Sequence, residues 1–507
     1  MIETHDVILK ELAAIVGEKH VSTASDKIIL YSKDQSFTPH CRPHYVVFPG
    51  NADEVQGIVK MAGEHGVPIV PRSSAVSLHG ASIPTEGGIL LDLQRMNRII
   101  KIDKRNWHAI IEPGVTFLQL QKELQKHGFR VACPLLDPIS GSVVSNYMER
   151  TPVTTAADFT YGAEHVICYT VIAPSGEPFT VGHPPMENTA ASAPDGPGLN
   201  FYRIFQGAQG TLGIVTQLII RVLPLPKAQK VFFFPCNSID RAAEIIRRIQ
   251  KSELGLECFA LNDFNLAAML LTETPDELAS LKKGVYIGND GAPPWAKEQG
   301  QQFSEIKKQL PPWTVVLCLS AAGPLPQEKI DYQELDLTEA TAEIGAEPTP
   351  TVGGIPALDK VILEEILLPW RMQKRFGYRG SCHSLMFCSA PDQVGRHHTT
   401  VATGSQMFDY SMEDVGIYLL PMERARAFYC TYDLHCSLAD LEESARVEGL
   451  FHHLSETLVD SGAFFDRPYG RLAELVYSRA GNYTDYLKRL KHSLDPNRIM
   501  NPGKLCL

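Results

Sequence analysis

The segment PRSSAVSLHG, Pro71 to Gly80, gathers small and hydroxylic side chains directly after a short apolar run and ends at a glycine. Small side chains let consecutive backbone N–H groups approach an anion. Ser73, Ser74 and Ser77 add hydroxyl donors, so a pyrophosphate could be cradled there without a P-loop lysine or a helix dipole. Taken alone, the same stretch also reads as a polar turn. Signatures of the common dinucleotide, phosphate, metal and serine-nucleophile sites are absent: the sequence has no GxGxxG after a strand, no GxxxxGK[ST], no HExxH and no GxSxG. The 11 cysteines include no CxxC pair. The nearest neighbours, Cys382/Cys388 and Cys430/Cys436, read as buried reduced thiols rather than metal or redox sites.

These residues need elements to position them. Tyr45–Phe48 reads as a strand, and Asn51 with Glu54 three residues later opens a helix whose Val55, Ile58, Val59 and Ala62 share one face, ending at Gly66. Further strands are expected at Ile69–Val70, Ile89–Leu93, His108–Ile111, Val166–Ala173 and Ile214–Val222. Thr116 with Gln119 caps a helix bearing Phe117, Leu120 and Leu124. This alternation marks an α+β or α/β domain. His183–Gly198 reads as a loop. After Pro224-Leu225-Pro226 the texture changes to helical periodicity from Ser238 and proline-rich breaks near 292–294, 311–312 and 346–356, which sets a domain boundary there. A last helical pattern (Leu441, Leu450, Phe451, Leu454, Leu458) stops at Gly462, before the tail LDPNRIMNPGKLCL.

The chain has 507 residues, 47 Lys+Arg against 58 Asp+Glu, and a net charge of −11, with 44% hydrophobic residues. That composition is globular, the length suits about two to four domains, and no basic run offers a footprint for nucleic acid or an anionic membrane. The N-terminus reads as an amphipathic helix rather than a signal peptide. The longest apolar stretch, Gly213–Pro224, is broken by Gln217 and Arg221, so a soluble, cytoplasmic protein without a membrane span is expected.

Several stretches then match one family in order: P-H-Y-V-V-F-P, V-P-I-V-P-R-S-S, G-I-L-L-D-L-Q-R-M-N-R-I, I-I-E-P-G-V-T-F, G-S-V-V-S-N-Y-M-E-R with Y-G-A-E-H, and F-Q-G-A-Q-G-T-L-G-I-V-T. Over residues 44–224 the sequence resembles the FAD-binding domain of the vanillyl-alcohol oxidase / p-cresol methylhydroxylase (VAO/PCMH) superfamily. More loosely, SLMF, IYLLPMERARAFY, YDL, GAFFDRPYG and LDPNRIMNPGK are similar to the cap and returning tail of its 4-phenol-oxidising branch.

The resemblance implies an α+β flavoenzyme: a two-part PCMH-type FAD-binding domain (1–226), an α/β cap with an antiparallel sheet (227–455), and a C-terminal segment packing back on the first domain (456–507). The loop from Pro71 through Arg72, Ser73, Ser74, Ala75, Ser77, Leu78 and His79 would wrap the pyrophosphate. Gly141–Arg150, with Ser142, Ser145 and Asn146, would run beside the ribityl chain and ring. Gly210, Gly213, Ile214 and Val215 would meet the adenosine part, and Pro134, Tyr161 and Lys504 are further expected cofactor contacts. The family's aspartate near flavin N5 corresponds to Asp137 in PLLDPISGS. Its substrate-anchoring arginine corresponds to Arg467, which is also an expected cofactor contact. The residue before it is Asp466 where the family has tyrosine, so Tyr469 or another tyrosine must substitute, or the substrate is not a simple para-alkylphenol; ion pairing of Arg467 with Asp466 is the competing role. Phe376 stands at the p-cresol branch's linking tyrosine and cannot form that bond, which implies non-covalent FAD. His383 and Tyr418 are further catalytic candidates in the cap; Tyr432 and His435 share those apolar runs, where core packing is the commoner role.

The leading reading is hydride transfer from a benzylic or side-chain carbon of an aromatic substrate to FAD. Electrons then pass to oxygen or to a protein carrier such as a cytochrome, and a homo-oligomer is expected. A D-2-hydroxy-acid dehydrogenase of the glycolate/lactate kind would use the same domain, but such relatives carry an H-G-D-type metal segment that is absent here. The third reading is a non-catalytic subunit of an electron-transfer complex.

Overall fold

The computed structural model describes residues 2–74, 76, 78–155, 157–158, 161–182, 198, 200–271, 279 and 296–507. The expected loop at 183–198 and the proline break at 292–294 fall almost entirely outside them.

Helix α1 (Ile2–Val16) packs on α2 (Ala52–His65). The start of α2 is fixed as its sequence suggests: Asn51 accepts from the Glu54 amide at 3.0 Å while Glu54 accepts from the Gly50 amide at 2.7 Å, a reciprocal cap of about 1 kcal/mol. Gly66 ends it with φ 64°, the left-handed conformation a β-carbon disfavours. The helix covers a small sheet ordered β1-β2-β4-β3, comprising β1 (Val21–Ser22), β2 (Tyr45–Val47), β3 (Ile69–Arg72) and β4 (Ile89–Asp92). β2 and β3 both run parallel to β4.

A second sheet, antiparallel and ordered β5-β6-β9-β7-β8, contains β5 (Ile99–Asp103), β6 (His108–Ile111), β7 (Val166–Ile172), β8 (Pro178–Val181) and β9 (Ile214–Arg221). Helices α3 (Phe117–Gln125) and α4 (Val143–Met148) pack in the core beneath it. Thr116 caps α3 through the Gln119 amide, as the spacing predicts.

The cap is a six-stranded antiparallel sheet ordered β10-β12-β11-β14-β15-β13: β10 (Ala228–Cys236), β11 (Glu257–Asn262), β12 (Trp313–Ala321), β13 (Ser381–Ser389), β14 (Gly416–Met422) and β15 (Ala427–Cys436). Side chains alternate across it. On β15, Phe428, Cys430, Tyr432 and Leu434 face a core shared with α5 (Ile239–Lys251) and α8 (Leu441–Asp460). Tyr429 joins the opposite core, built with α6 (Asp263–Leu270), α7 (Leu358–Leu367) and Leu135, Leu136 and Tyr161 of the first domain. That second face seats the cap on the N-terminal domain.

Helices α9 (Gly470–Arg479) and α10 (Asn482–Leu494) lead back. Met500 bridges Ile69 in parallel, with the Ile69 amide donating to the Ile499 carbonyl (2.6 Å) and the Asn501 amide to the Ile69 carbonyl (2.8 Å). The last residues thus extend the first sheet beside β3. All eleven cysteines are free thiols; of the two nearest pairs, Cys382, Cys430 and Cys436 are buried and Cys388 is half-buried.

Candidate functional site

Three loops meet beyond β3, each held by identifiable contacts. The first, after Arg72, is anchored at Gly80: its amide donates to Asp34 Oδ2 (2.7 Å) and its carbonyl accepts from Lys504 Nζ (2.9 Å). With φ 75° and a β-carbon position 2.0 Å from Thr38 Oγ1, this site admits only glycine. The second loop enters α4. Ser142 caps the helix by accepting from the Ser145 amide, its hydroxyl donates to the Pro113 carbonyl (2.6 Å), and its amide donates to Ser74 Oγ (2.8 Å), fastening the first two loops together. The third precedes β9, where a β-carbon on Gly210 would lie 2.3 Å from Pro71 Cγ. The loops enclose a cavity of about 1280 Å³ of unfilled space, counting its open mouth.

Arg467 projects into that cavity from the segment before α9. It is buried, and its guanidinium donates to Thr151 Oγ1 (2.8 Å) and to the Tyr429 hydroxyl. Among the described residues no carboxylate lies within 4 Å of it and Nε has no partner, so the nearby Asp466 and Asp137 act on this buried cation only from beyond ion-pair distance. Tyr469 stacks on His79 at 5.0 Å and donates to Glu149 Oε2 (3.0 Å). Burial raises the Glu149 carboxyl above its ordinary proton affinity and depresses the His79 imidazole to about 3, leaving that ring neutral.

Asp137 accepts from Asn146 Nδ2 at 2.6 Å. Burial raises its carboxyl pKa, opposed by the positive charges of Arg467 and Arg375. Its loop is held from the cap: Arg375 donates to the Leu136 carbonyl (2.9 Å) and pairs with Asp433 at 2.7 Å, both side chains being inaccessible. Glu365, at the end of α7, in turn accepts from the amides of Arg371 (2.9 Å) and Met372 (3.1 Å), fixing the 3₁₀ turn that carries Arg375.

The cavity wall includes Pro71, Arg72, Ser73, Ser74 and His79 of the first loop; Asp137, Gly141, Ser142, Ser145 and Asn146 of the second; Gly210, Gly213, Ile214 and Val215 of the third; and Arg467. Ala75 and Ser77 lie outside the described residues. Other expected residues do not line it. Lys504 acts at one remove, through Gly80. Arg150 lies over the Tyr161 ring (4.3 Å), away from the wall, and Pro134 is buried behind it. Leu78 and His383 instead line an adjoining chamber. Tyr418 lines neither space: it packs against Phe259 in the cap core, where its strand register turns it inward. Asp466 is absent from the wall and does not pair with Arg467, whose tyrosine partner is Tyr429. Sequence reasoning missed Tyr429, Glu149 and Arg375. Glu149 sits within a matched stretch, whereas a tyrosine and an arginine inside apolar segments carry no local signal.

A family model described as an FAD binding domain matches residues 43–182, and one described as the C-terminal domain of FAD linked oxidases matches residues 469–505. The fold superposes on p-cresol methylhydroxylase with substrate bound, with a TM-score of 0.81 at 18% identity over 99% of this chain and 96% of that one. The chain thus carries an FAD binding domain and the C-terminal domain of FAD linked oxidases, on a fold shared with p-cresol methylhydroxylase. It is 24% identical to the glycolate oxidase subunit GlcD of Bacillus subtilis (strain 168), over 98% of this chain and 96% of the relative. It is 28% identical to the mitochondrial D-lactate dehydrogenase [cytochrome] 1 of Saccharomyces cerevisiae, over 52% of this chain and 45% of the relative.

The cavity of this flavoprotein fits FAD. Two polar atoms of wall residues, Asn146 Oδ1 and Arg467 Nε, await partners, and glycines bring backbone close to the cavity. Among the described residues, no group of three or more His, Cys, Asp or Glu side chains is disposed to hold a metal, and no helix is long and apolar enough to cross a membrane.

Proposed function

We propose that this enzyme oxidises a benzylic or side-chain carbon of an aromatic substrate that carries an ionisable oxygen, such as a para-alkylphenol or a hydroxylated aryl alcohol. One observation carries the reading. Arg467, buried and without a carboxylate partner among the described residues, is hydrogen-bonded to Tyr429, and Tyr469 and Asp137 line the same cavity. A buried guanidinium without a counter-ion is costly until an anion meets it, and a phenolate oxygen supplies that charge without demanding a second cation.

FAD, when bound, supplies a ring that accepts hydride. The chain's residues do the rest. Arg467, held in place by the Tyr429 hydroxyl, anchors the substrate oxygen and sets the distance of the reacting carbon. Asp137, kept in register by Asn146 and by Arg375 on the preceding carbonyl, takes a proton or stabilises positive charge as it develops. Apolar wall residues such as Val144, Met148 and Met386 exclude water. The cofactor is held non-covalently, because Phe376 replaces the linking tyrosine of the p-cresol branch. Electrons leave to oxygen or a protein carrier, and the enzyme works in the cytoplasm as a homo-oligomer.

A second reading, oxidation of a D-2-hydroxy acid, has specific support in the glycolate oxidase and D-lactate dehydrogenase relatives, and a substrate carboxylate could also meet Arg467. Anaerobic mixing of the holoenzyme with 4-alkylphenols, aryl alcohols and 2-hydroxy acids separates the two. Bleaching of the flavin by the aromatic set supports the first reading; bleaching by glycolate or D-lactate alone overturns it. Acid precipitation should release the yellow chromophore into the supernatant, and retention with the polypeptide would overturn non-covalent attachment.

A further inference from the structure

A second chamber, about 680 Å³ of unfilled space including its opening, adjoins the cofactor cavity and shares His79, Met386, Arg467 and Tyr469 with it. Two pairs of stacked rings bound it: His79 on Tyr469, and Phe37 on His383 with centroids 4.0 Å apart and planes at 14°. Leu78, Phe451 and Leu472 add apolar surface. Its described lining contains no Asp or Glu but two arginines, Arg467 and Arg471. Burial holds the His79 and His383 imidazoles near pKa 3, so neither contributes charge at neutral pH. Arg471 is exposed at the start of α9 and forms no ion pair within 4 Å among the described residues, while its charge adds to burial in lowering the proton affinity of His452.

We propose that this chamber is a specificity site for the far end of the substrate: an apolar, ring-bearing substituent that ends in a carboxylate, received by Arg471. The substrate is then two-ended. Its reacting carbon lies in the first cavity beside Asp137, and its tail passes the His79–Tyr469 stack into the second. Flat rings suit the stacked walls, an all-cationic lining suits an anion, and an exposed guanidinium at the rim can be reached without desolvating a second buried charge. The inference rests on the reading of an aromatic substrate given above, but it addresses a separate part of the molecule.

The test uses holoenzyme and a non-reactive ligand pair, biphenyl-4-carboxylate and its neutral amide, titrated by calorimetry into wild type, Arg471→Ala and Arg471→Glu. The carboxylate should bind wild type at least tenfold more tightly than the amide, with the difference lost in Arg471→Ala and reversed in Arg471→Glu. Equal affinities in wild type, or a carboxylate preference that survives Arg471→Ala, would overturn the proposal. Flavin bleaching by 4-ethylphenol in the same three proteins reports on the oxidation chemistry alone. A wild type that selects the carboxylate through Arg471 yet is not bleached by any aromatic donor would retain the chamber's assignment while sinking the aromatic oxidation.

Discussion

In the proposed reaction Asp137 handles the proton and Tyr429 positions the anchoring Arg467, and each can be removed separately. Replacing Asp137 with Ala should slow anaerobic flavin reduction by roughly 10²–10⁴-fold with FAD retained. Because burial raises this carboxyl above its ordinary range, the wild-type reduction rate should climb with pH just above that range, as the base deprotonates, and the variant should lose the climb. A pH-independent wild-type rate would remove Asp137 from the proton step. Tyr429→Phe deletes one hydroxyl facing a charged donor. Such bonds contribute about 1.5–3 kcal/mol, and loss of this internal bond loosens Arg467, so the substrate Kd, read by spectral titration, should rise by up to about tenfold while FAD binding is unchanged.

At the scale of elements, the turn between α7 and β13 joins the cap to the catalytic loop. Glu365 anchors it, and burial pushes that carboxyl from an ordinary 4.5 up to about 7 against the backbone amides that hold it. A raised folded-state pKa means the native protein binds the proton more tightly than the unfolded chain. The associated stability is present below about pH 4.5 and is lost as pH rises through about 7. Thermal unfolding of Glu365→Gln between pH 5 and 8 should show a flatter dependence than wild type. The elements themselves were largely legible: Asn51–Glu54, Thr116–Gln119 and Gly66 mark helix ends by local hydrogen-bond chemistry, and each sits where its sequence places it. The loop Pro71–Gly80 was legible only together with the matched stretches around it, because alone it also reads as a polar turn. What escaped was long-range. Arg375 meets Asp433 only through the register of β13 with β15, and on strands buried on both faces no alternation reveals which side chain faces the flavin cavity. Tyr418 and Tyr429, on neighbouring strands, look alike in sequence and share one core, yet Tyr429 reaches Arg467 whereas Tyr418 packs on Phe259.

Across the whole molecule, the first and last parts of the chain form one unit around the cap. Lys491 on α10 donates to the Thr211 carbonyl (2.6 Å), the Met500 carbonyl (2.7 Å) and Asp495 (2.7 Å), tying the third cofactor loop to the tail. Lys491→Met leaves Asp495 buried without its cation, a loss of about 3–5 kcal/mol. The urea midpoint should fall accordingly and FAD should dissociate faster; an unchanged FAD off-rate would show that the tail does not support the cofactor loops. The pairing of Ile69 with Ile499 and Asn501 also orders events in time. During synthesis β3 and the loop after it emerge before the cap, but the segment that extends their sheet emerges only after the cap. The cap therefore has the opportunity to fold inside an unfinished host, and a chain lacking residues 499–501 leaves the first sheet without the segment that extends it beside β3. A chain truncated before Ile499 should therefore retain less flavin than the full chain, as read by absorbance after gel filtration, and equal retention would show that this pairing does not support the cofactor loops.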